Sequence, residues 1–477
     1  MKAITEYFAR EDAYPDLDVD GAAGRLSRAI QCRTVDRPHR DATLLAEFDR
    51  LHAIIKEGYP HVMKQGTFEV IAHGEESGDP ARGRALLITI PGSDPSLRPC
   101  LYMSHQDVVP VVEGTEKDWT HDAFSGAVAD GYIWGRGTLD IKQMVFGILE
   151  AAEYLLAHGR QFKRTACLAF GDDEETRNWG AEAIAKTLEQ RGVRLEFLLD
   201  EGGGRVEDGA PFGAPGVAIS RVDLMEKGYA DVELSVESRG GHSSRPFGGT
   251  SLALIARAIA GIADHPFPAR LPTVLRATFQ ALAPHITEEP LKTLVQDVPG
   301  NAEAIAAWCL ERPETFPYVT TTIAPTMIEG GSSACNVMPQ NMRAAINFRI
   351  NEGDGTEAVM AHCRAHDGSD RVKLRFLQAN EHSAVARMDG YGYARLVESM
   401  EAFYPGVLFV PSMSVGATDA RRYERICDTC LRCAPFMAEL EDARRGVHGT
   451  DERLLLRAYA QGIRVLIHLM ERANVEP

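Results

Sequence analysis

The chain has 477 residues, of which 44% are hydrophobic and 25% charged, and its formal net charge is −17 at pH 7. A chain of this length is longer than a domain with a single hydrophobic core usually is, so two domains are predicted. The composition is typical of a globular protein in water. The negative charge argues against nucleic acid or an anionic membrane surface as a partner, the sequence contains no apolar run of membrane-spanning length, and the first residues lack the apolar segment of a signal peptide. We therefore expect a cytoplasmic protein.

In the first part of the chain, predicted helices and strands alternate. Apolar residues recur at helical spacing in some segments and form short strand-like runs in others. The predicted helices are 21–34, 44–59 and 141–158, and the predicted strands are 85–90, 101–103, 165–170 and 197–199. Helices between buried strands indicate an α/β fold with a mostly parallel sheet, and ligands bind beyond the carboxyl ends of such strands.

A different pattern occupies the middle of the chain. Strands are predicted at 231–237, 318–328, 341–350 and 371–377, and helices at 251–262 and 356–366. Their order, β-α-β-β-α-β, is that of a ferredoxin-like α+β unit, which a proline-bearing helical segment at 265–317 interrupts. We predict that residues 227–380 form a domain inserted into a catalytic domain made of 1–226 and 381–477. The chain then returns to helix at 390–402 and ends in a helix at 452–473.

Several potential metal ligands follow the predicted strands of the first part. His105 follows one strand end, and histidine binds zinc through a neutral ring nitrogen. Asp107 lies two residues on, so an extended backbone places it on the same side, where it can fix the tautomer of the ring. Asp140 follows the glycine-rich approach Gly135–Gly137 and could bridge two cations through its two oxygens.

The acidic run Asp172–Glu175 follows another strand. Four adjacent carboxylates are costly at the functional edge of a sheet unless cations compensate their charge. Neighbouring side chains can point in different directions, so Glu175 could bind metal while Glu174 acts as the general base towards a water whose pKa a metal lowers to about 7. Far downstream, His448 offers a second imidazole. Asp200 and Glu201 are both candidate ligands after the last strand, and the residues alone do not choose between them.

Seven segments of this chain, taken in order, carry a resemblance that spans nearly its whole length. They are His105–Pro110, Gly135–Lys142, Asp173–Glu175, Asp200–Gly202, Gly240–Ser244, Gly416–Arg421 and His448–Arg453. The chain resembles the aminoacylase, carnosinase and succinyl-diaminopimelate desuccinylase family of dinuclear zinc peptidases. Within it, the vacuolar carboxypeptidase S-type branch is the most similar.

This resemblance implies a zinc-peptidase catalytic domain with an inserted lid, and two zinc ions per subunit, with cobalt or manganese as alternative metals. The implied ligands are His105 and Asp200 for one ion, Glu175 and His448 for the other, and Asp140 as the bridge. Asp107 would orient His105, and Glu174 would be the base. Because some family members use a glutamate at the fourth segment, Glu201 stays an alternative to Asp200.

The resemblance also implies how substrate is held. His242 lies in a motif similar to that of a lid histidine which, in related dimers, reaches the partner subunit's site and polarises the scissile carbonyl. A homodimer through the lid domain is therefore expected. Asn336 resembles a residue that contacts substrate. Arg421 resembles the arginine that binds a substrate carboxylate, with Arg349 assisting, and a guanidinium suits this role because it binds carboxylates in bidentate fashion.

We therefore expect a zinc-dependent amidohydrolase for small peptides or N-acyl amino acids with a free carboxylate, of carboxypeptidase, dipeptidase or aminoacylase type. An alternative is a deacylase of an N-acetyl or N-succinyl biosynthetic intermediate. A non-catalytic binding scaffold on the same fold is disfavoured, because all candidate ligands and the base are present. The C-x2-C-x2-C spacing of Cys427, Cys430 and Cys433 has no fourth cysteine nearby, so reduced thiols are expected there rather than an iron–sulfur site.

Overall fold

The computed structural model describes residues 2–37, 40–74, 83–438, 442 and 445–477. The described helices are α1 (Val19–Ile30), α2 (Ala42–Gly58), α3 (Pro60–Gln65), α4 (Lys142–Ala157), α5 (Trp179–Gln190), α6 (Ser251–Ala263), α7 (Thr273–Leu282), α8 (Leu291–Leu294), α9 (Ala302–Leu310), α10 (Phe316–Val319), α11 (Thr356–His366), α12 (Tyr391–Phe403) and α13 (Leu456–Met470). In this part of the chain, no helix is both long and apolar enough to cross a membrane.

The strands, again for the described residues, fall into one large and several smaller sheets. They are β1 (Thr67–Ile71), β2 (Ala85–Ile90), β3 (Cys100–His105), β4 (Val128–Ala129), β5 (Tyr132–Trp134), β6 (Ala166–Gly171), β7 (Phe197–Asp200), β8 (Glu207–Gly209), β9 (Ala214–Glu226), β10 (Gly228–Glu237), β11 (Gly241–His242), β12 (Thr322–Gly330), β13 (Val337–Met338), β14 (Asn341–Ile350), β15 (Lys373–Asn380), β16 (Leu408–Ser414), β17 (Cys430–Arg432) and β18 (Arg453–Leu455).

The large sheet has the strand order β1-β2-β6-β3-β7-β17-β9-β16, with β8 paired to β9. Its central pairs β6–β3, β3–β7 and β7–β17 are parallel, as is β9–β16, whereas β1–β2 and β2–β6 are antiparallel. Every residue of β3, β6 and β7 is buried. Burial on both faces explains their nearly continuous apolar sequence, and the predicted α/β fold with a mostly parallel sheet is confirmed.

Two hydrophobic clusters cover the faces of this sheet. Along β2, Leu86 and Ile88 join the cluster that contains α1, α4, α12 and α13, while Leu87 joins the cluster that contains α5. Helix α4 is buried over most of its length, which matches its uniformly apolar sequence. The same alternation runs along β7, where Leu199 faces the first cluster and Leu198 the second. This alternation decides the direction of Asp200, as described below.

A smaller antiparallel sheet has the strand order β12-β14-β10-β15. Helices α6 and α11 pack on it through side chains such as Ile255, Ile262 and Val359. The chain order β10-α6-β12-β14-α11-β15 is the predicted β-α-β-β-α-β arrangement. The boundaries proposed for an inserted domain at 227–380 stay a prediction.

The helices between α6 and β12 pack with the large sheet, although Phe267 at the start of this segment contacts Phe348 of the smaller sheet. Val274 and Phe279 of α7 join the first cluster of the large sheet, as do Ile305 and Trp308 of α9. The Thr278 hydroxyl donates a hydrogen bond to the carbonyl of Pro411 in β16. The segment predicted at 265–317 is therefore helical, and it extends the core of the large sheet.

The C-terminal helix begins later than predicted, at Leu456, because Arg453–Leu455 form β18 and pair with β5. The three cysteines of the C-x2-C-x2-C spacing are buried and free. Two of their thiols contact backbone carbonyls, since Cys427 Sγ lies 3.4 Å from the oxygen of Thr429 and Cys430 Sγ lies 3.6 Å from the oxygen of Cys427.

Candidate metal centre

The parallel strands β3, β6 and β7 end at one edge of the large sheet, and the predicted ligands meet there. His105 Nε2 lies 3.1 Å from Asp140 Oδ1 and 3.5 Å from Glu201 Oε1. His448 Nε2 lies 3.0 Å from Asp140 Oδ2 and 3.2 Å from Glu175 Oε1. The carboxylate of Asp140 therefore lies between two imidazoles and offers one oxygen to each.

These separations suit metal coordination. Two ligand atoms about 2.1 Å from a tetrahedral zinc ion lie roughly 3.4 Å apart. The four distances above are close to that value. Two sets of ligand atoms, His105–Asp140–Glu175 and His105–Glu174–Glu201, each fall within 4.8 Å of one another.

The negative charges of the cluster also favour the binding of cations. Burial, followed by the charge of Glu201, raises the pKa of Glu174 well above its ordinary value, and burial raises the pKa of Glu201 in the same direction. Hydrogen bonds that the His448 ring donates to the carboxylates of Asp140 and Glu175 raise its pKa to about 10. Four carboxylates surround two imidazoles here, and positive ions would relieve this imbalance while leaving the imidazoles neutral. The donor set therefore fits a metal centre.

Asp107 connects two parts of the cluster. His105 Nδ1 lies 3.0 Å from the backbone oxygen of Asp107 and 3.4 Å from its carboxylate. The same carboxylate accepts the backbone N–H groups of Glu174 and Glu175 at 3.2 and 3.0 Å. Asp107 thus supports the ring of His105 and also fixes the turn that carries the two glutamates.

Glu174 has a further support that sequence reasoning missed. Asn178 Nδ2 donates to the backbone oxygen of Glu174 at 3.1 Å and to Asp419 Oδ1 at 2.9 Å. Asn178 adopts a left-handed backbone conformation with φ of 58° at the start of α5. Asparagine tolerates that conformation better than most residues, and this preference was the one sequence signal for its role.

Asp200 and Glu201 point in different directions. Asp200, the last residue of β7, is buried, and its two oxygens accept the backbone N–H groups of Glu201 at 2.8 Å and Ala420 at 2.9 Å. Strand alternation places Asp200 on the face of Leu198, where Ala420 also lies. Glu201 lies beyond the strand and faces His105. The described geometry thus brings Glu201, rather than Asp200, to the metal cluster.

The predicted substrate residues lie in two regions. His242 and Asn336 are exposed neighbours, joined by a hydrogen bond from the Ser243 N–H to the Asn336 carbonyl at 2.9 Å. Arg349, in β14, lies over the ring of Tyr229 with 4.8 Å to the centroid. None of the contacts described for these residues involves the cluster.

Arg421 occupies the turn that follows β16, next to Asp419 and Ala420. Its guanidinium donates to the backbone oxygen of Glu381, and burial lowers its pKa. Because Ala420 binds Asp200 directly, this turn is attached to the edge of the sheet that carries the cluster.

A cavity of about 240 Å³ adjoins the cluster. It is lined by Asp140 and Glu201 of the cluster, by the glycines Gly202–Gly204, and by Arg221 and Phe436. These glycines pack closely against other backbone, because a Cβ at Gly203 or Gly204 would lie about 2 Å from the backbone oxygens of Arg221 and Ala434. The cavity offers room for a substrate group beside the candidate ligands.

The fold and the site together define a metal-dependent hydrolase. The model of peptidase family M20/M25/M40 matches residues 101–472, more than three quarters of the chain. The chain belongs to this family of metallopeptidases and amidohydrolases.

Curated relatives agree with this assignment. N-fatty-acyl-amino acid synthase/hydrolase PM20D1 of Homo sapiens is 32% identical over 458 residues, covering 94% of this chain and 87% of that protein. Probable carboxypeptidase S-like 2 of Dictyostelium discoideum is 31% identical over 470 residues, covering 97% and 87%. The M20 family metallo-carboxypeptidase Sso-CP2 from Sulfolobus solfataricus matches the fold with a TM-score of 0.66 at 15% identity, over 94% of this chain and 98% of that one. The resemblance inferred from the motifs is confirmed.

Proposed function

We propose that the protein hydrolyses the amide bond of N-acyl amino acids or small peptides that carry a free carboxylate next to the scissile bond. The observation that carries this proposal is the carboxylate of Asp140 between the imidazoles of His105 and His448, with Glu174 beside them. This arrangement supports two metal ions, and imidazole with carboxylate ligands favours zinc, with cobalt or manganese as substitutes.

Each residue then has a role. His105 and Glu201 would hold one ion, His448 and Glu175 would hold the other, and Asp140 would serve both. Bound zinc would polarise the scissile carbonyl and lower the pKa of the attacking water. Glu174 accepts the proton of that water and delivers it to the leaving nitrogen. Asp107 holds the ring of His105 and the turn that carries Glu174 and Glu175 in fixed relative positions.

Two observations support the substrate class. Arg421 lies in the turn whose Ala420 N–H binds Asp200, and its guanidinium is suited to a carboxylate. The relatives named above are called N-fatty-acyl-amino acid hydrolase and carboxypeptidase, and both names describe an amide bond adjacent to an amino-acid carboxylate. We assign Asn336 and Arg349 to substrate contacts on the lid.

A hydrolysis screen tests the proposal. Purified protein loaded with zinc is incubated with dipeptides, N-acetyl, N-succinyl and long-chain N-acyl amino acids, and products are measured by mass spectrometry. Matched substrates with the carboxylate converted to an amide test the need for the charge. We expect turnover of at least one class and a loss of it with the amide. If the protein binds two zinc ions yet hydrolyses none of these compounds, the proposed function is wrong.

The smaller sheet, which belongs to the proposed lid, suggests that the protein forms a homodimer. Strand β12 lies at the edge of the smaller sheet and exposes Met327 and Ile328, which is typical of an edge that pairs with another chain. In such a dimer His242 would reach the partner subunit's site and stabilise the developing oxyanion.

Mixing two inactive variants tests this arrangement. In dimers of Glu174→Gln with His242→Ala, one of the two sites regains both intact groups if His242 acts on the partner. Random exchange at equal amounts makes half of the dimers mixed, so activity should recover to about a quarter of the wild-type value. No recovery after verified subunit exchange would mean that His242 does not act across the dimer.

A further inference from the structure

Glu452 is a buried carboxylate to which neither the motif analysis nor the proposed reaction gives a role. It lies four residues after His448 and has no exposed surface. Its Oε1 accepts three backbone N–H groups, from Gly137 at 3.0 Å, Leu139 at 2.7 Å and Asp140 at 3.1 Å. One oxygen therefore holds the backbone of the loop that carries the bridging aspartate.

Arg136 makes the reciprocal connection. It lies in the Asp140 loop, is 2% exposed, and donates from Nη1 to Glu452 Oε2 at 2.6 Å. Its Nη2 donates to the backbone oxygen of Gly449 at 2.9 Å, and Nη1 lies 3.5 Å from that of Gly446. These two carbonyls lie on either side of His448.

We propose that Glu452 and Arg136 are positioning residues that set the distance between Asp140 and His448, and so form the second metal position. The glutamate of the His448 loop holds the Asp140 loop, and the arginine of the Asp140 loop holds the His448 loop. His448 itself has a left-handed backbone with φ of 58°, and its side chain is about half exposed. Packing around the ring alone therefore does not fix its position.

Chemistry explains why a carboxylate occupies this place. Three N–H groups converge on one oxygen, and an apolar side chain would leave all three without this partner. The guanidinium provides two separate N–H directions, one for Glu452 and one for Gly449, which an ammonium group cannot reproduce with the same geometry. Residues that orient metal ligands in this way typically change metal affinity by 10–100-fold when they are replaced.

This inference rests on the metal roles proposed above for Asp140 and His448. Calorimetric zinc titration of the metal-free protein distinguishes a failure of this inference from a failure of the proposed function. The test variant is Glu452→Gln, which keeps the size of the side chain and one oxygen. The matched control is Glu150→Gln, because Glu150 is also buried and is paired with Arg25 at 2.6 and 2.8 Å and with Tyr59 at 2.8 Å. Glu150 lies in the middle of α4 and makes none of these contacts with the ligand loops.

We expect Glu452→Gln to bind one zinc ion as the wild type does and the other 10–100-fold more weakly. The cobalt-loaded variant should show a changed visible absorption spectrum, and kcat should fall more than KM rises. The control should lose thermal stability but keep both zinc affinities and the cobalt spectrum.

Arg136→Lys is the second variant, since it keeps the charge beside Glu452 while losing the contact with Gly449. It should weaken the same zinc ion. If Glu452→Gln and Arg136→Lys bind both ions like the wild type and only melt earlier, the pair is purely structural and the proposal is wrong. If the wild type itself binds no zinc, the proposed function fails instead.

Discussion

Replacing Glu174 by glutamine separates the roles of base and ligand. Glutamine has nearly the same shape, and the supports of this residue come from its backbone, whose N–H donates to Asp107 and whose carbonyl accepts from Asn178. The turn should therefore keep its geometry. What disappears is the ability to accept and return a proton.

The size of the effect follows from the chemistry of the site. General acid–base catalysis typically contributes about 10²–10⁴ in rate, or roughly 3–5 kcal/mol in the activation barrier. We expect kcat to fall by that factor with little change in KM. Because His448 binds Glu175 and not Glu174, both zinc ions should stay bound, as measured by metal analysis of the purified variant.

The neighbouring substitution Glu175→Gln is the matched control. Its Oε1 lies 3.2 Å from His448 Nε2, so its loss should lower the zinc content to about one ion per chain. The assignment would be refuted if Glu174→Gln lost zinc while retaining residual turnover, because the two adjacent glutamates would then have exchanged roles. Activity within tenfold of the wild type would equally refute a base at this position.

Four further substitutions test the metal site and the buried charges of the surrounding fold. Glu201→Ala should release one zinc ion while Asp200→Asn keeps both, and the reverse result in metal analysis would restore Asp200 as the ligand. Burial lowers the pKa of Lys227 from 10.5 to about 7, so between these values the unfolded chain binds more protons and stability rises with pH. In urea unfolding, wild type relative to Lys227→Met should gain up to about 4 kcal/mol from pH 7 to 10, and a pH-independent difference would contradict this. Arg432→Met leaves Glu226 buried without its ion pair and should cost about 3–5 kcal/mol in the free energy of unfolding, whereas a loss below about 1 kcal/mol would show that the pair contributes little.

The sequence predicted the sheet well because its central strands are buried on both faces. Strand β6 and its neighbours therefore appear as short apolar runs, and their ends could be located without any tertiary information. The helical segment at 265–317 shows the limit of this approach. Its apolar residues predict helices, but the pattern does not say which sheet they cover, and Phe279 packs in the core of the large sheet although its sequence lies between strands of the smaller one.

The sequence left the choice between Asp200 and Glu201 open for a related reason. Strand alternation sends Asp200 towards Ala420, but this can be read only when the last residue of the strand is known. The apolar run ends at Leu199, so the sequence placed Asp200 beyond the strand and not within it. A boundary shift of one residue reverses the direction of a side chain, and it therefore changes which carboxylate reaches His105.

The ligands come from distant parts of the chain, yet their positions depend on contacts between backbone N–H groups and carboxylates. Asp107 binds the N–H groups of the glutamate turn, Asp200 binds that of Ala420, and Glu452 binds those of the Asp140 loop. Each of these carboxylates is buried and already satisfied by hydrogen bonds. They are thus poor metal ligands themselves, while Glu201 has its carboxylate towards His105. One set of carboxylates holds the loops, and another set faces the imidazoles. This division explains how a cluster of like charges keeps its shape. The first set fixes the geometry, so the bound ions need only neutralise the charge of the second.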